Sequence, residues 1–418
     1  MLLFTHPTGN ANVRHAALGL FRAGLLAEFW TCLNFQAPPL LERLLPGRVT
    51  RQLRRRGYPP ELADAIHTRP LREVIRLFAP RLGLPGLVRH ETGPFSVDAV
   101  YQALDQAVAR RLRTGDFSGV YAYEDGAEFS FRTARRRGLR TLYDLPIGHW
   151  RAARALLLDE AEREPEWAAT LTGNRDSAAK NERKDAELAL ADVVFVASSF
   201  TRRTLSEAAG FKGTVMVVPY GAPTLPPGLH LAEPPRPGPK LRVLFVGSLG
   251  QRKGLSYLFA ACRQVRSAVT LTVIGQKPPE PCAALERELR EARWIPGCPH
   301  AQILAEMAAH DVFVFPSLFE GFGLVLLEAL AMGLPVITTP HTAGPDLIHD
   351  GVEGFIVPIR DSTAIAARLE LLHREPARRA EMSRRARLRA RESTWTNYEE
   401  TLAACVGQVL TTAETARR

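Results

Sequence analysis

The chain has 418 residues, 46% of them hydrophobic, which is enough for two or three domains with full cores and too much for a disordered chain. It carries 54 lysines and arginines against 44 acidic residues, a net charge of +10, and nearly every cation is an arginine. No run of about 18 apolar residues exists to cross a membrane as a helix, and the five cysteines (32, 262, 282, 298 and 405) form no C-x-x-C pair, so the composition argues for reduced thiols in a cytoplasmic protein rather than a disulfide framework or zinc site.

In chain order, Met1 to His6 is too short for a signal peptide and reads as a first strand over 2–5. The turn Pro7-Thr8-Gly9-Asn10 follows, then a helix over 12–30. Residues 48–110 read as helical and arginine-rich, and the stretch from 40 to 140 holds an excess of about +8. Arg54, Arg55 and Arg56 form its densest cluster. Leu71, Val74, Ile75 and Leu77 give the next helix an apolar stripe beside Arg72 and Arg76. That stripe either packs on the first domain, leaving the arginines solvated, or lies in an anionic membrane interface. No RNA- or DNA-binding motif accompanies the charge, so no nucleic-acid partner is expected.

Strand 118–123, helix 126–137, strand 140–144, a helical stretch 151–190, strand 193–197, helix 199–209 and strand 214–219 complete the first half. The Pro/Gly-rich residues 226–240 read as a linker between a first domain, 1–225, and a second, 241–390. The second domain reads as strand 241–247, helix 254–266, strand 269–275, helix 282–292, a short strand 293–295 and helix 300–309. Strand 311–315, helix 323–332, strand 334–338, a turn at Gly344 and strand 354–357 follow. A final amphipathic helix occupies 391–418 from Trp395 onward. Alternating helices and continuously apolar strands predict two doubly wound, Rossmann-like parallel sheets facing across a cleft.

The most telling segment is Phe319-Glu320-Gly321-Phe322-Gly323-Leu324, continuing to Glu328 and Ala329. It lies between a buried strand and a helix. Gly321 and Gly323 let backbone approach a ligand, and the helix N-terminus at Leu324 suits a phosphate. Glu320 and Glu328 can accept hydrogen bonds from sugar hydroxyls. A nicotinamide fingerprint fails because Leu326 stands where a third glycine is needed. Gly247-Ser248-Leu249-Gly250-Gln251-Arg252-Lys253-Gly254 follows another strand, and Arg252 and Lys253 can neutralise a diphosphate. No Asp-x-Asp occurs in a suitable loop and the histidines lack ligand spacing, so no metal or other cofactor is implied.

The E-x7-E inside V-F-V-F-P-S-x-x-E-G-F-G resembles the donor motif of retaining family-4 glycosyltransferases of the two-Rossmann GT-B architecture. Residues 243–254, Gly333-Leu334-Pro335-Val336-Ile337 and 351–358 extend the resemblance, which covers about 190 to 360. It implies a sugar-nucleotide donor held on the second domain: Glu328 on the ribose, Glu320 on the hexose, and Arg252 with Lys253 on the diphosphate. Gly247, Ser248, Gly321, Phe322, Gly323 and Leu324 would line the donor site. It further implies that Gly9 and His149 approach the donor from the first domain. The acceptor would be a glycan, a lipid-linked or a small-molecule hydroxyl compound, and the final helix would pack back on the first domain. The protein would be cytoplasmic, with or without peripheral contact at the inner membrane face. The alternatives are a nucleotide-sugar epimerase or other GT-B enzyme, such as a phosphorylase, or a non-catalytic binding protein on the same fold.

Overall fold

The computed structural model describes residues 1–36, 47–171, 173, 175–208, 210–223 and 238–415. Most of the expected linker lies outside them. Seven strands form a parallel sheet in the order β3-β2-β1-β4-β5-β6-β7, where β1 is Leu2–Thr5, β2 Leu26–Thr31, β3 Ile66–Thr68, β4 Gly119–Tyr123, β5 Arg140–Leu145, β6 Val193–Val196 and β7 Thr214–Val217. Six more form a second parallel sheet, β10-β9-β8-β11-β12-β13: β8 Leu241–Val246, β9 Val269–Ile274, β10 Arg293–Ile295, β11 Val312–Phe315, β12 Val336–Thr338 and β13 Gly354–Ile356. Strands are apolar on both faces because helices cover both. In β4, Tyr121 and Tyr123 enter one core while Val120 and Ala122 enter the other.

The structure departs from the sequence expectation in four places. The helix expected over 12–30 ends at Arg22, where Gly24 takes φ +68°, and Leu26–Thr31 then pairs with β1 as β2. A left-handed residue stops a helix, and the apolar run on either side hid that stop. The short edge strand Ile66–Thr68 interrupts the helical reading of 48–110. The stretch 151–190 is two helices, Trp150–Arg163 and Ala178–Leu190, broken after Pro165 by a short 3₁₀ turn. Two helices, Ser362–Arg374 and Pro376–Glu392, occupy a region left without elements.

The last helix, Trp395–Thr415, lies against the first, Ala11–Arg22. Glu399 on the last helix accepts from Arg22 at 2.9 Å and pairs with His15 at 2.6 Å, while the Trp395 ring stacks on His15. The 3₁₀ turn Pro165–Thr170 packs in the opposite sense, onto the second sheet's helices. Trp167 stacks on Phe259, and the Cys282 thiol donates to the Glu166 carbonyl. Among the described residues no helix is long and apolar enough to cross a membrane.

Candidate active site

Each sheet reverses its strand order once, between β1 and β4 in the first and between β8 and β11 in the second. Ligands of open α/β sheets bind outside the carboxyl ends of the strands at such switch points. Here the two switch points face each other. A cavity lies between the domains, with Arg252 and Phe319 on one wall and Glu124, Gly148, Trp150 and Lys184 among the residues of the other.

On the second domain the loops after β8 and β11 hold each other. The Arg252 carbonyl accepts from the Leu318 amide at 2.9 Å and from the Ser317 hydroxyl at 3.2 Å. The Arg252 guanidinium donates to the Phe319 carbonyl at 2.6 Å and reaches Glu320 at 3.4 Å. The Lys253 ammonium donates to the same Glu320 oxygen and sits 4.9 Å from the centre of the Phe315 ring. Burial lowers the pKa of both cations, and the Arg252 charge pushes Lys253 further down. The buried Lys253 and the half-buried Arg252 thus share a single carboxylate partner, Glu320.

Gly323 caps the helix Leu324–Ala331 with φ +85°, a conformation that costs glycine nothing. Glu328 lies on that helix and bonds His300, the first residue of helix His300–Ala308, at 2.9 Å. Gly247 is half-buried against the rings of Phe245 and Phe315, and Ser248 beside it is exposed.

Of the expected site residues, Arg252 alone is among those that line this cavity. Phe322 is buried against Tyr220, with ring centres 5.0 Å apart. The Gly321 carbonyl accepts the Thr201 hydroxyl at 2.9 Å, and a side chain at 321 would strike the Pro146 carbonyl. These two residues therefore join the domains. Gly9 is covered by Tyr58 and Arg14. His149 is 2% exposed: its ring accepts from the Arg151 amide at 3.4 Å, and its other nitrogen lies 3.4 Å from Asp185. Burial holds its pKa down near 4, so the ring is neutral. It caps the helix whose first residue, Trp150, lines the cavity.

Sequence reading missed Glu124, Asp176, Asn181 and Lys184 on the cavity wall, and His300 beside Glu328. For Glu124 a signal existed: a carboxylate directly after five apolar strand residues, at the carboxyl end of a switch-point strand. Among the described residues, His90, Glu91 and Asp176 are the one group of three that could close on a metal ion. Asp176 there already pairs with Lys180 and Lys184.

Two doubly wound sheets with their switch points opposed define the GT-B architecture. Residues 230–389 match the family model of glycosyl transferases group 1. A putative colanic acid biosynthesis glycosyltransferase, WcaL, of Salmonella typhimurium is 34% identical over 146 residues, 32% of this chain and 36% of that protein. Glycogen synthase of Mycobacterium tuberculosis is 31% identical over 195 residues, 45% of this chain and 46% of that protein. The chain thus matches less than half the length of these curated relatives. Whole-chain likeness lies in the fold. Sucrose-phosphate synthase of Thermosynechococcus elongatus superposes with a TM-score of 0.64 at 18% identity, covering 99% of both chains. HepE of Anabaena, solved with UDP, gives 0.60 at 16%, covering 98% of this chain and 99% of that one.

The contact between His300 and Glu328 predicts a titration. The hydrogen bond to Glu328, outweighing partial burial, raises the His300 pKa. Its contribution is therefore present at low pH and is lost as pH rises through the raised value. Glu328→Gln should lower the His300 midpoint in a histidine NMR titration, and an unmoved midpoint would contradict the pairing.

Proposed function

We propose that this chain is a retaining glycosyltransferase that moves a sugar from a nucleoside-diphosphate sugar to a hydroxyl acceptor. The observation that carries this reading is the convergence of Arg252, Lys253 and Glu320 at the second switch point, one helix away from Glu328. Arg252 and Lys253 neutralise the diphosphate as the glycosyl bond breaks, aided by the helix N-terminus at Leu324 and the loop of Gly247 and Ser248. Glu320 exchanges part of its Lys253 contact for hexose hydroxyls. Glu328 accepts from the ribose. The leaving phosphate takes the acceptor proton, so no side chain serves as a covalent nucleophile. Gly321, Phe322 and the Gly9 loop keep the cleft walls in register, and His149 orients the helix that presents Trp150. The named relatives, a putative glycosyltransferase and a glycogen synthase, and the UDP complex of a protein with this fold agree with such a donor.

The charge on the diphosphate is met by side chains, so turnover requires no metal. Thermal-shift titration with a panel of nucleoside diphosphates should find a stabilising ligand, and Glu328→Ala should weaken it by about 2–3 kcal/mol without unfolding the chain. Sugar-nucleotide turnover should persist in excess EDTA. Unchanged nucleotide affinity in Glu328→Ala, or complete loss of turnover on chelation with recovery on adding Mg²⁺, contradicts these assignments.

The enzyme also docks on anionic membrane surfaces through the Pro70–Phe78 helix and the turns after it. The apolar stripe expected there divides: Leu77 turns inward, while Leu71 is 72% exposed and Val74 36%. Leu82 and Leu84 add 73% and 52% exposure nearby, beside exposed Arg69 and Arg72. Arg56, from the densest cluster, instead turns in to the buried Glu73 at 2.8 Å. Exposed leucines flanked by arginines suit insertion at an anionic headgroup layer. Co-sedimentation should occur with vesicles containing anionic lipid and weaken with salt and in a Leu71→Ser/Leu82→Ser variant. Equal partitioning into neutral vesicles, or none into either, would refute the docking.

A further inference from the structure

The helices Val97–Thr114 and Glu128–Arg136 pack side by side against the first sheet, and an open groove runs between them. Arg110 and Arg113 line it from the first helix, Arg132 and Arg136 from the second, and all four are exposed. The chain enters β4 from the end of the first helix and β5 from the end of the second, so Arg113 and Arg136 lie toward the amino edge of the sheet. The cavity between the domains lies at the carboxyl edge, and none of the four arginines is on its wall.

The neighbouring arginines hold the fold together; those in the groove are left over. Arg111 pairs with Glu28 at 2.6 Å and Arg135 with Asp192 at 2.7 Å. Arg137, just past the second helix, donates to the Gly115 carbonyl at 2.7 Å. In the groove, Arg132 bonds Glu128 at 2.8 Å, whereas Arg110, Arg113 and Arg136 have no side-chain partner among the described residues. No acid lines the groove. Asp105, on the first helix, is spent on the Phe129 and Ser130 amides at 2.7 and 2.9 Å. Those bonds fix the start of the second helix on the first, so the two rows of arginines face each other in a set register.

Helix dipoles favour cations in the last turn, which accounts for Arg113 and Arg136 but not for Arg110 or Arg132. Arginines three or four apart on one helix repel, and a groove lined by one sign of charge concentrates the field. An anion seated there removes that repulsion. Guanidinium forks meet phosphoryl oxygens two at a time. Two forks on each wall are more than one phosphoryl group can engage, and they suit two or more in a row. No large hydrophobic residue between positions 98 and 137 is exposed, so this surface has nothing to insert into a bilayer, unlike Leu71 and Leu82. We propose that this groove binds a soluble compound carrying two or more phosphoryl groups, at a site separate from the cavity between the domains. It goes beyond the transfer reaction and does not depend on it.

The probe is inorganic tripolyphosphate, titrated by calorimetry into the full chain at physiological salt, with hydrogen exchange to locate it. Tripolyphosphate should bind and slow exchange in residues 106–113 and 129–136. Inorganic phosphate should bind at least about tenfold more weakly, because it spans one pair of forks. Arg110→Gln/Arg113→Gln and, separately, Arg132→Gln/Arg136→Gln should each weaken tripolyphosphate by about tenfold or more and abolish that protection. UDP affinity and the melting temperature should stay unchanged in both. Arg384→Gln/Arg385→Gln removes the same charge from a distant helix and should leave tripolyphosphate affinity within about twofold, since it alters only the general field. Vesicles containing phosphatidic acid should sediment both groove variants as well as the parent. Absent tripolyphosphate binding, full affinity in both groove variants, or equal affinity for inorganic phosphate would overturn the proposal. So would an equal loss in the distant variant, or vesicle binding lost from the groove variants while tripolyphosphate still binds.

Discussion

One buried carboxylate ties the two halves of the site together. Glu160, fully buried near the end of the helix Trp150–Arg163, accepts from the Gln251 amide at 2.7 Å, the Tyr257 hydroxyl at 2.9 Å and the Arg360 guanidinium at 2.6 Å. All three donors follow the linker in sequence. A carboxylate is tolerated without water only when its lone pairs are filled in this way, and losing one partner of such a group costs about 3–5 kcal/mol. Gln251 is itself locked, its backbone amide bonded to the Thr170 hydroxyl at 2.8 Å and its side chain to Ser256 at 2.6 Å. The next two residues are Arg252 and Lys253. The helix that carries Trp150 into the cavity thus also fixes the origin of the cationic loop opposite it.

The electrostatics of the site follow from that rigidity. Lys253 is largely buried and keeps its contact with Glu320, and a charge pair shielded from water interacts more strongly than one in solution. On the proposed reading, an entering diphosphate would not have to build a binding site. It would replace a carboxylate contact already present between Lys253 and Glu320. On that same reading, this would free Glu320 to face a sugar.

The parallel sheets and E-x7-E turn were legible in the sequence because their signals are local: continuous apolar strands, glycines at a strand–helix junction, and paired charges after a strand. What escaped was set by distant contacts. β2 lay concealed inside one apolar run because the stop is a single glycine, Gly24. Phe322 and Gly321 read as donor contacts from their neighbours in sequence, yet the first domain packs on them. His149 carried the chemistry expected of a site residue, but tertiary packing gave it a capping role. Glu160 looked like one acid among many on a charged helix; only its three partners, ninety to two hundred positions away, distinguish it.

The chain passes between its two sheets twice, and the two passages touch. Ala222 and Thr394 form a parallel bridge, the Ala222 amide bonds the Ser393 carbonyl at 2.6 Å, and Gly221 lies so close to Trp395 that no side chain fits between them. Covalently, the second sheet is a loop hung from the first at a single seam. Away from that seam, Ser199 bonds Asp346 at 2.9 Å and Arg203 bonds the Pro340 carbonyl at 2.8 Å, so the domains are tied at more than one place.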